Sequence, residues 1–158
     1  MPPITAVLFT HNDALRIGRA LETLWFPSET IVVDHGSVDR TVAIARQYGA
    51  RIVAADEPHA VPTVPASHNW IFCLTARESV GDELEASLFE WSLLPAAVPG
   101  GMCCSVRVQE ERGNGWTTRE VPETRLVPRD WRLGPDGLPV PCSQAQLLCG
   151  NLLRFAQP

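Results

Sequence analysis

The chain has 158 residues, of which 45% are hydrophobic, and this length and composition favour a single domain that buries its own core. Its 13 basic residues, all arginine, are outnumbered by 18 acidic ones, which gives a net charge of -5 at pH 7. This balance argues against the broad phosphate-binding surface that nucleic acids require, while a local anion pocket stays compatible with it. We therefore expect no nucleic-acid partner.

The cysteines and the N-terminus bear on the cellular compartment. Five cysteines, an odd number without a Cys-x-x-Cys spacing, predict neither a disulfide framework nor a thiolate zinc site. The N-terminus lacks the basic and apolar segments of an export signal, and no apolar run is long enough to cross a bilayer. These features predict a cytoplasmic protein without a membrane span. They do not predict its oligomeric state.

The first half of the chain alternates short apolar runs, typical of strands buried on both faces of a parallel sheet, with segments of helical spacing. In chain order they predict a strand at Ile4–Phe9, a helix at 14–24, a strand at Thr30–Val33, a helix at Val38–Tyr48 and a strand at Arg51–Ala54. Asn12 or Asp13 is the expected cap of the first helix and Ser37 that of the second. Gly49 has the position of a left-handed C-cap.

The second half is less regular. Prolines predict a loop over residues 56–67. The later patterns predict a strand at Trp70–Leu74, a helix at Val80–Leu94, and strands at Met102–Val108 and Thr124–Val127 around a turn at Gly113–Gly115. Together the elements predict an α/β fold: one three-layer α/β/α domain with a mainly parallel, partly mixed sheet.

Polar residues end the predicted parallel strands, where ligands bind in such folds. Thr10 and His11 follow the first strand and Asp34 follows the second. A carboxylate directly after a buried strand is costly unless it is paired, hydrogen-bonded or solvated in a cleft, so Asp34 is a candidate for a pocket role. For Asn12, helix capping and ligand contact remain equally open. Asp39 is better explained by the start of a helix than by ligand contact.

Three strings in this order resemble family 2 glycosyltransferases. They are ITAVLFTHN at residues 4–12, IVVDHGSVDRT at residues 31–41 and HNWIFCL at residues 68–74. The resemblance implies the glycosyltransferase A fold and a nucleotide-diphospho-sugar partner, linked to UDP or GDP. It divides the chain into a nucleotide-binding half, residues 1–94, and a reduced acceptor-side half, residues 95–158. The nucleotide-binding positions implied are Thr10, His11, Asn12, Asp34, Gly36 and Ser37.

The sequence departs from this family where its metal motif should stand. Relatives carry an Asp-x-Asp motif there, whose carboxylates hold Mg or Mn against the donor diphosphate. Here the string is Thr75-Ala76-Arg77-Glu78, so the expected metal ligands are absent. Arg77 has two interpretations: it pairs directly with a diphosphate, or it forms a surface ion pair with Glu78 or Glu83.

Two further departures concern catalysis. A proline-rich loop from Pro58 to Pro65 replaces the helix that in relatives brings a basic contact to the phosphates. No carboxylate of the second half matches a general-base motif, and Glu123, before a predicted strand, is the best available candidate. Two functions stay open: a nucleotide-sugar-binding protein whose metal-dependent transfer is impaired or lost, or a non-catalytic module that reuses the fold for binding or assembly.

Overall fold

The computed structural model describes residues 3–55, 64–94 and 103–158, and these ranges contain nine strands and three helices. In chain order the elements are β1 (Ile4–Thr10), α1 (Ile17–Glu22), β2 (Glu29–Asp34), α2 (Thr41–Gln47), β3 (Arg51–Ala54), β4 (Trp70–Thr75), β5 (Glu78–Val80), α3 (Asp82–Ser92), β6 (Cys104–Arg112), β7 (Gly115–Thr118), β8 (Glu123–Pro128) and β9 (Gln146–Arg154). None of these helices has the length and apolar character needed to cross a bilayer.

All strands belong to one sheet, with the order β3-β2-β1-β4-β8-β6-β9-β5 and with β7 paired to β6. The pairs among β1 to β4 are parallel, as the sequence predicts. Beyond β4 the pairing is mostly antiparallel, and β6 with β9 is the parallel exception. The α/β class is therefore confirmed, but the sheet as a whole is more evenly mixed than the predicted, mainly parallel one.

The two faces of the sheet are covered differently. Alternate residues of β1 point to opposite faces, Ile4, Ala6 and Leu8 to one core and Val7 and Phe9 to the other. The first core contains the buried side chains of all three helices: Ile17, Ala20, Leu21, Ala45, Leu84, Leu88 and Trp91.

The second face carries no helix within the described ranges, so the predicted third layer is not found there. Apolar residues of irregular segments cover it instead, including Val64, Leu133, Leu138 and Cys142. The segment between β8 and β9 contains Pro135, Pro139 and Pro141, which prevent a continuous helix.

Two helix starts differ from the prediction because the expected caps bond elsewhere. α1 begins at Ile17 and no side chain caps it, while Asn12 adopts a φ of 51° and binds the backbone of Val38. α2 begins at Thr41 rather than Val38, and the hydroxyl of Ser37 donates to Asp34. Side chains that the local pattern assigns to capping therefore connect two neighbouring loops.

Strands β5, β7 and β9 were not predicted. β9 pairs with β6 on one side and with β5 on the other, so Glu78–Val80 is a strand and the helix predicted from Val80 begins at Asp82. Gly49 has a φ of 78°, which confirms its left-handed conformation after α2. Most of the proline-rich loop from Pro58 to Pro65, and the predicted strand start at Met102, lie outside the described residues.

The close approach of β9 to α3 depends on Gly150. This residue has a φ of 87°, and a Cβ added to it would lie 2.2 Å from the backbone nitrogen of Leu84. Backbone atoms cannot move aside as a flexible side chain can, so only glycine fits here.

We predict that Gly150→Ala lowers the free energy of unfolding by about 3 kcal/mol, because a positive φ and a backbone clash add. Gly113→Ala is the matched control: its φ is also positive, at 59°, but nothing lies within 4 Å of its added Cβ. We expect the control to lose about 1 kcal/mol. Urea denaturation measures both, and equal losses would contradict the packing role of Gly150.

Candidate functional site

The strand ends that carry the predicted polar residues meet at one edge of the sheet. Thr10 is paired with Asp34 across β1 and β2, and Phe9 is paired with Thr75 across β1 and β4. Since these strands are parallel, the residues that follow them share the edge where ligands bind in open α/β sheets. The structure thus brings the predicted nucleotide-binding residues and the degenerate motif together.

Hydrogen bonds join the loop after β1 to the loop after β2. His11 Nδ1 donates to the carbonyl oxygen of His35 at 2.7 Å, and the backbone nitrogen of Asn12 donates to Ser37 Oγ at 2.9 Å. In the other direction, the backbone nitrogen of Val38 donates to Asn12 Oδ1 at 2.9 Å. These bonds hold the two loops as one wall of the edge.

Asp34 is nearly buried, with 8% of its surface exposed, and is satisfied within its own turn. The backbone nitrogen of Ser37 donates to Asp34 Oδ2 at 3.1 Å, and the Ser37 hydroxyl donates to Asp34 Oδ1. Gly36 allows this return of the chain because its φ is 76°. The carboxylate therefore sets the shape of the loop that follows β2.

Two aspartates support the same wall. Asp13 Oδ2 accepts from Thr10 Oγ1 at 2.8 Å and from the backbone nitrogen of His11 at 3.1 Å. Asp39 accepts from the hydroxyl and the backbone nitrogen of Thr41, and these bonds keep the pKa of Asp39 below its usual range. Asp39 thus supports the start of α2, as the sequence suggests. The part played by Asp13 was missed, because its position predicted a helix cap.

A buried ion-pair cluster lies next to the degenerate motif. Arg125 donates to both carboxylate oxygens of Glu78, each at 2.8 Å, and neither side chain is exposed. Arg154 Nη2 donates to Glu78 Oε2 at 2.9 Å. Sequence reasoning did not find this cluster, since its members lie on three strands of which β5 and β9 were not predicted.

The cluster fills a gap between two strands. β4 and β8 pair only from Trp70–Pro128 to Phe72–Leu126, and after that point they diverge. Arg125 Nη1 donates to the free carbonyl oxygen of Cys73 at 3.1 Å, and Glu78 Oε1 accepts from the backbone nitrogen of Thr75 at 2.9 Å. The ion pair thus replaces the missing ladder hydrogen bonds.

The charges of the cluster stabilise one another. Burial acts to raise the pKa of Glu78, but the charge and hydrogen bonds of Arg125, with the charge of Arg154, lower it below its usual range. Burial acts to lower the pKa of Arg125, and the charges of Glu78 and Glu123 raise it. Removal of one partner from such a buried pair costs about 3–5 kcal/mol, since the other charge is left uncompensated.

The motif Thr75-Ala76-Arg77-Glu78 does not fit a divalent cation. Glu78, its one carboxylate, already binds two arginines, and the described ranges contain no cluster of three or more His, Cys, Asp or Glu that would hold a metal ion. Arg77 is exposed in the turn between β4 and β5, and within those ranges its side chain forms no ion pair. The predicted surface pair of Arg77 with Glu78 or Glu83 is therefore wrong.

Glu123, the predicted general base, lies at the same edge, since β8 runs antiparallel to β4. Its Oε2 accepts from Arg125 Nη2 at 2.9 Å and from Arg154 Nη2 at 3.0 Å. Glu123 also lines a cavity of about 500 Å³, which we call the β8 cleft. Its polar lining residues include Ser105, Arg119, Glu123, Thr124, Asp136 and Cys142.

Sequence comparisons relate about half of the chain to bacterial proteins described as glycosyltransferases. A protein of Rickettsia felis described as an uncharacterized glycosyltransferase is 35% identical over 91 residues, which cover 54% of this chain and 32% of that protein. A similarly described protein of Rickettsia bellii is 34% identical, over 52% of this chain and 30% of its own. The chain thus spans about a third of the length of these relatives. No protein-family model matches it.

Solved structures share the fold. TarS of Staphylococcus aureus superposes with a TM-score of 0.64 at 14% identity, over 98% of this chain and 37% of TarS. Glucosyl-3-phosphoglycerate synthase of Mycobacterium tuberculosis, in complex with Mn²⁺, UDP and glucosyl-3-phosphoglycerate, has a TM-score of 0.50 at 21% identity, over 70% of this chain and 44% of the synthase. The fold therefore defines an α/β protein of the glycosyltransferase A type.

The sequence comparisons and the structure comparisons both confirm the resemblance to glycosyltransferases. The curated relatives are named glycosyltransferases, and the structural neighbours share the fold. Over the part that these comparisons cover, the chain is glycosyltransferase-like.

We predict that Glu78 makes stability depend on pH. Because the pKa of Glu78 is lowered in the fold, its contribution is complete above the unfolded value of about 4.3 and is lost as the pH falls towards the folded value. Glu78→Gln should cost about 3 kcal/mol at pH 7, where Arg125 loses its charged partner, and progressively less below about pH 4.

Urea denaturation of the wild type and Glu78→Gln from pH 7 to pH 3 measures this difference. Glu90→Gln, which changes an exposed carboxylate on α3, is the control and should follow the wild type. A deficit of Glu78→Gln that stays constant over the whole range would contradict the charged state of Glu78.

Proposed function

We propose that this chain binds a nucleotide-diphospho-sugar at the edge formed by the ends of β1, β2 and β4, without a metal ion, and that metal-dependent glycosyl transfer is impaired or lost. The observation that carries this proposal is the contrast between two neighbours. Glu78 is buried against two arginines, whereas Arg77 is exposed and forms no ion pair within the described ranges. The exposed charge at this position is thus the guanidinium group of Arg77, where the resembled family has carboxylates.

Arg77 is the proposed partner of the diphosphate. A guanidinium group matches the geometry of phosphate oxygens and can bind two of them at once. The turn that carries Arg77 is fixed next to the polar edge, because the backbone nitrogen of Ala76 donates to the carbonyl oxygen of Phe9 at 3.1 Å. On the other side of this turn, the backbone nitrogen of Phe155 donates to the carbonyl oxygen of Arg77 at 2.9 Å. Such a fixed position favours specific anion binding.

The joined loops after β1 and β2 are the proposed base and ribose wall. His11 and Asn12 are exposed there, while Thr10, Asp34, Gly36 and Ser37 hold their conformation. Asn12 Nδ2 and His11 Nε2 remain available for a ligand apart from their mutual contact of 3.3 Å. Mutually fixed polar groups at strand ends are suited to recognise a base edge or sugar hydroxyls.

For catalysis, Glu123 remains the candidate general base of a reduced acceptor-side half, residues 95–158. Its Oε2 is held by Arg125 and Arg154, and within the described ranges its Oε1 accepts no hydrogen bond. In this proposal the chain is a single domain over residues 1–158, in which residues 1–94 bind the nucleotide and residues 95–158 face the acceptor. We further propose that it acts in the cytoplasm.

The second candidate is a non-catalytic module that uses the fold for binding or assembly. The observation in its favour is a group of exposed apolar side chains near α3. Trp25 and Leu93 are each 70% exposed, and Phe89 is 49% exposed. Apolar surface of this kind is more typical of an interface than of a solvated helix.

We predict that UDP or GDP binds equally well with and without Mn²⁺ and that Arg77→Ala weakens binding about tenfold, through loss of one charge-assisted contact. Arg46→Ala removes an exposed arginine at the opposite end of α2 and is the control. Isothermal titration calorimetry measures both affinities. Absence of binding by either nucleotide would leave only the assembly module.

We also predict that the double variant Thr75→Asp, Arg77→Asp makes nucleotide binding dependent on Mn²⁺. The two new carboxylates would supply hard oxygen ligands at the edge, whereas Glu78 stays bound to its arginines. The measurement is the nucleotide affinity of the variant with Mn²⁺ and with EDTA. If Mn²⁺ makes no difference, residues 75–78 do not occupy the place of the metal motif.

A further inference from the structure

Cysteines from two distant segments pack in one apolar core: Cys103 and Cys142 lie on the second face of the sheet, and Cys142 also lines the β8 cleft. Cys103 and Cys104 lie at the start of β6, and Cys142 lies in the segment before β9. The backbone nitrogen of Gln146 donates to the carbonyl oxygen of Cys103 at 2.8 Å, and that of Cys142 donates to Thr124 Oγ1 at 3.0 Å. These bonds hold the segment with Cys142 against the start of β6.

The three thiols have unequal environments. Cys103 and Cys104 are buried, and burial raises the pKa of each to about 12. Cys142 is partly exposed and lines the cleft. Burial acts to raise the pKa of Cys142, but hydrogen bonds from the backbone of Gln144 and from the thiol and backbone of Cys103 lower it below its usual value. The accessible sulfur is thus also the one that its surroundings stabilise as a thiolate.

We propose that Cys142 is a redox modification site whose thiolate attacks a low-molecular-weight disulfide in the β8 cleft, and that Cys103 then resolves the mixed disulfide into a Cys103–Cys142 bond. Cys103 and Cys142 pack in the same apolar core, whereas Cys104 belongs to the core on the other face of the sheet. This shared packing and the open cleft beside Cys142 carry the proposal. The cavity of about 500 Å³ has room for the small group that Cys142 would carry in the intermediate.

The exchange balances without any group beyond the disulfide. The thiolate of Cys142 attacks one sulfur of the reagent, its sulfur–sulfur bond breaks, and one small thiolate leaves. The thiol of Cys103 then loses its proton and attacks the sulfur of Cys142, and the second small thiolate leaves. The two cysteines have lost two electrons and two protons in total, and the reagent has become two thiols. A dithiol reductant reverses both steps.

Oxidation would act on the cleft rather than on the nucleotide edge. The new bond would tie the start of β6 to the segment that carries Cys142, which lies against Thr124 and next to Glu123. The hydrogen-bonded loops after β1 and β2 contain no cysteine. We therefore expect nucleotide binding to survive oxidation, so that this inference and the proposed function can fail separately.

The test is incubation of the reduced protein with oxidised glutathione at pH 7.5, followed by peptide mapping without reduction. The wild type should form a Cys103–Cys142 peptide, with an intact mass lower by two hydrogen atoms and fully restored by dithiothreitol. Cys103→Ala should instead accumulate glutathione on Cys142, because the resolving thiol is missing. Cys149→Ser, which removes the exposed cysteine on β9, should form the bond as fast as the wild type.

Four outcomes would overturn the proposal. The first is modification of Cys149 alone, and the second is a disulfide that joins Cys104 rather than Cys103 to Cys142. The third is a Cys103→Ala variant that keeps Cys142 free while circular dichroism shows it folded. In Cys142→Ser the hydroxyl keeps the approximate shape of the side chain, and persistence of the mass change in this variant would also contradict the proposal.

Discussion

The buried ion pair between Glu78 and Arg125 joins the two parts of the sheet. The parallel part, β3-β2-β1-β4, meets the mixed part, β8-β6-β9-β5, through the short ladder between β4 and β8. Where that ladder ends, the ion pair forms hydrogen bonds with the backbone carbonyl of Cys73 and the backbone nitrogen of Thr75. Without the ion pair, these two backbone groups of β4 would lack their hydrogen bonds, next to the edge that carries the proposed site. The position of Arg77, one residue before Glu78, depends on this closure.

The same pair distinguishes the two sides of this edge. On the side of β1 and β2, polar side chains fix two loops and leave His11 and Asn12 exposed. On the side of β4, the one carboxylate of the motif serves the fold. A carboxylate that is buried against two arginines cannot also coordinate a cation, since its lone pairs are used. Glu78 therefore serves the fold and is not free to bind a cation.

The sequence allowed the parallel half to be predicted closely, because buried parallel strands leave continuous apolar runs. β3 has the predicted limits, and β1, β2, β4 and β8 are within one residue at each end. β9 was not predicted, since its QLLCGNLLR string contains Gly150 and alternates poorly.

The polar residues of the edge could be predicted from their positions at strand ends, but the hydrogen bonds between them could not. In the sequence Asn12 and Ser37 resemble helix caps, and only their proximity in the fold shows that each bonds to the neighbouring loop. The sequence places Glu78 on the surface because its partners, Arg125 and Arg154, are 47 and 76 positions away.

The sequence separations between Glu78 and its two arginines have a consequence for folding during synthesis. As the ribosome releases the chain, Glu78 emerges long before Arg125 and longer still before Arg154. During that interval a charged carboxylate without its cations cannot enter the core, so β4 keeps an open flank and the edge stays unformed. Strands β1 to β4 are all released before Glu78, so they can pair with one another first. The junction with β8 must wait for Arg125. Glu78 thus stays hydrated while the chain is incomplete, and it can be buried only after Arg125 and Arg154 have been synthesised.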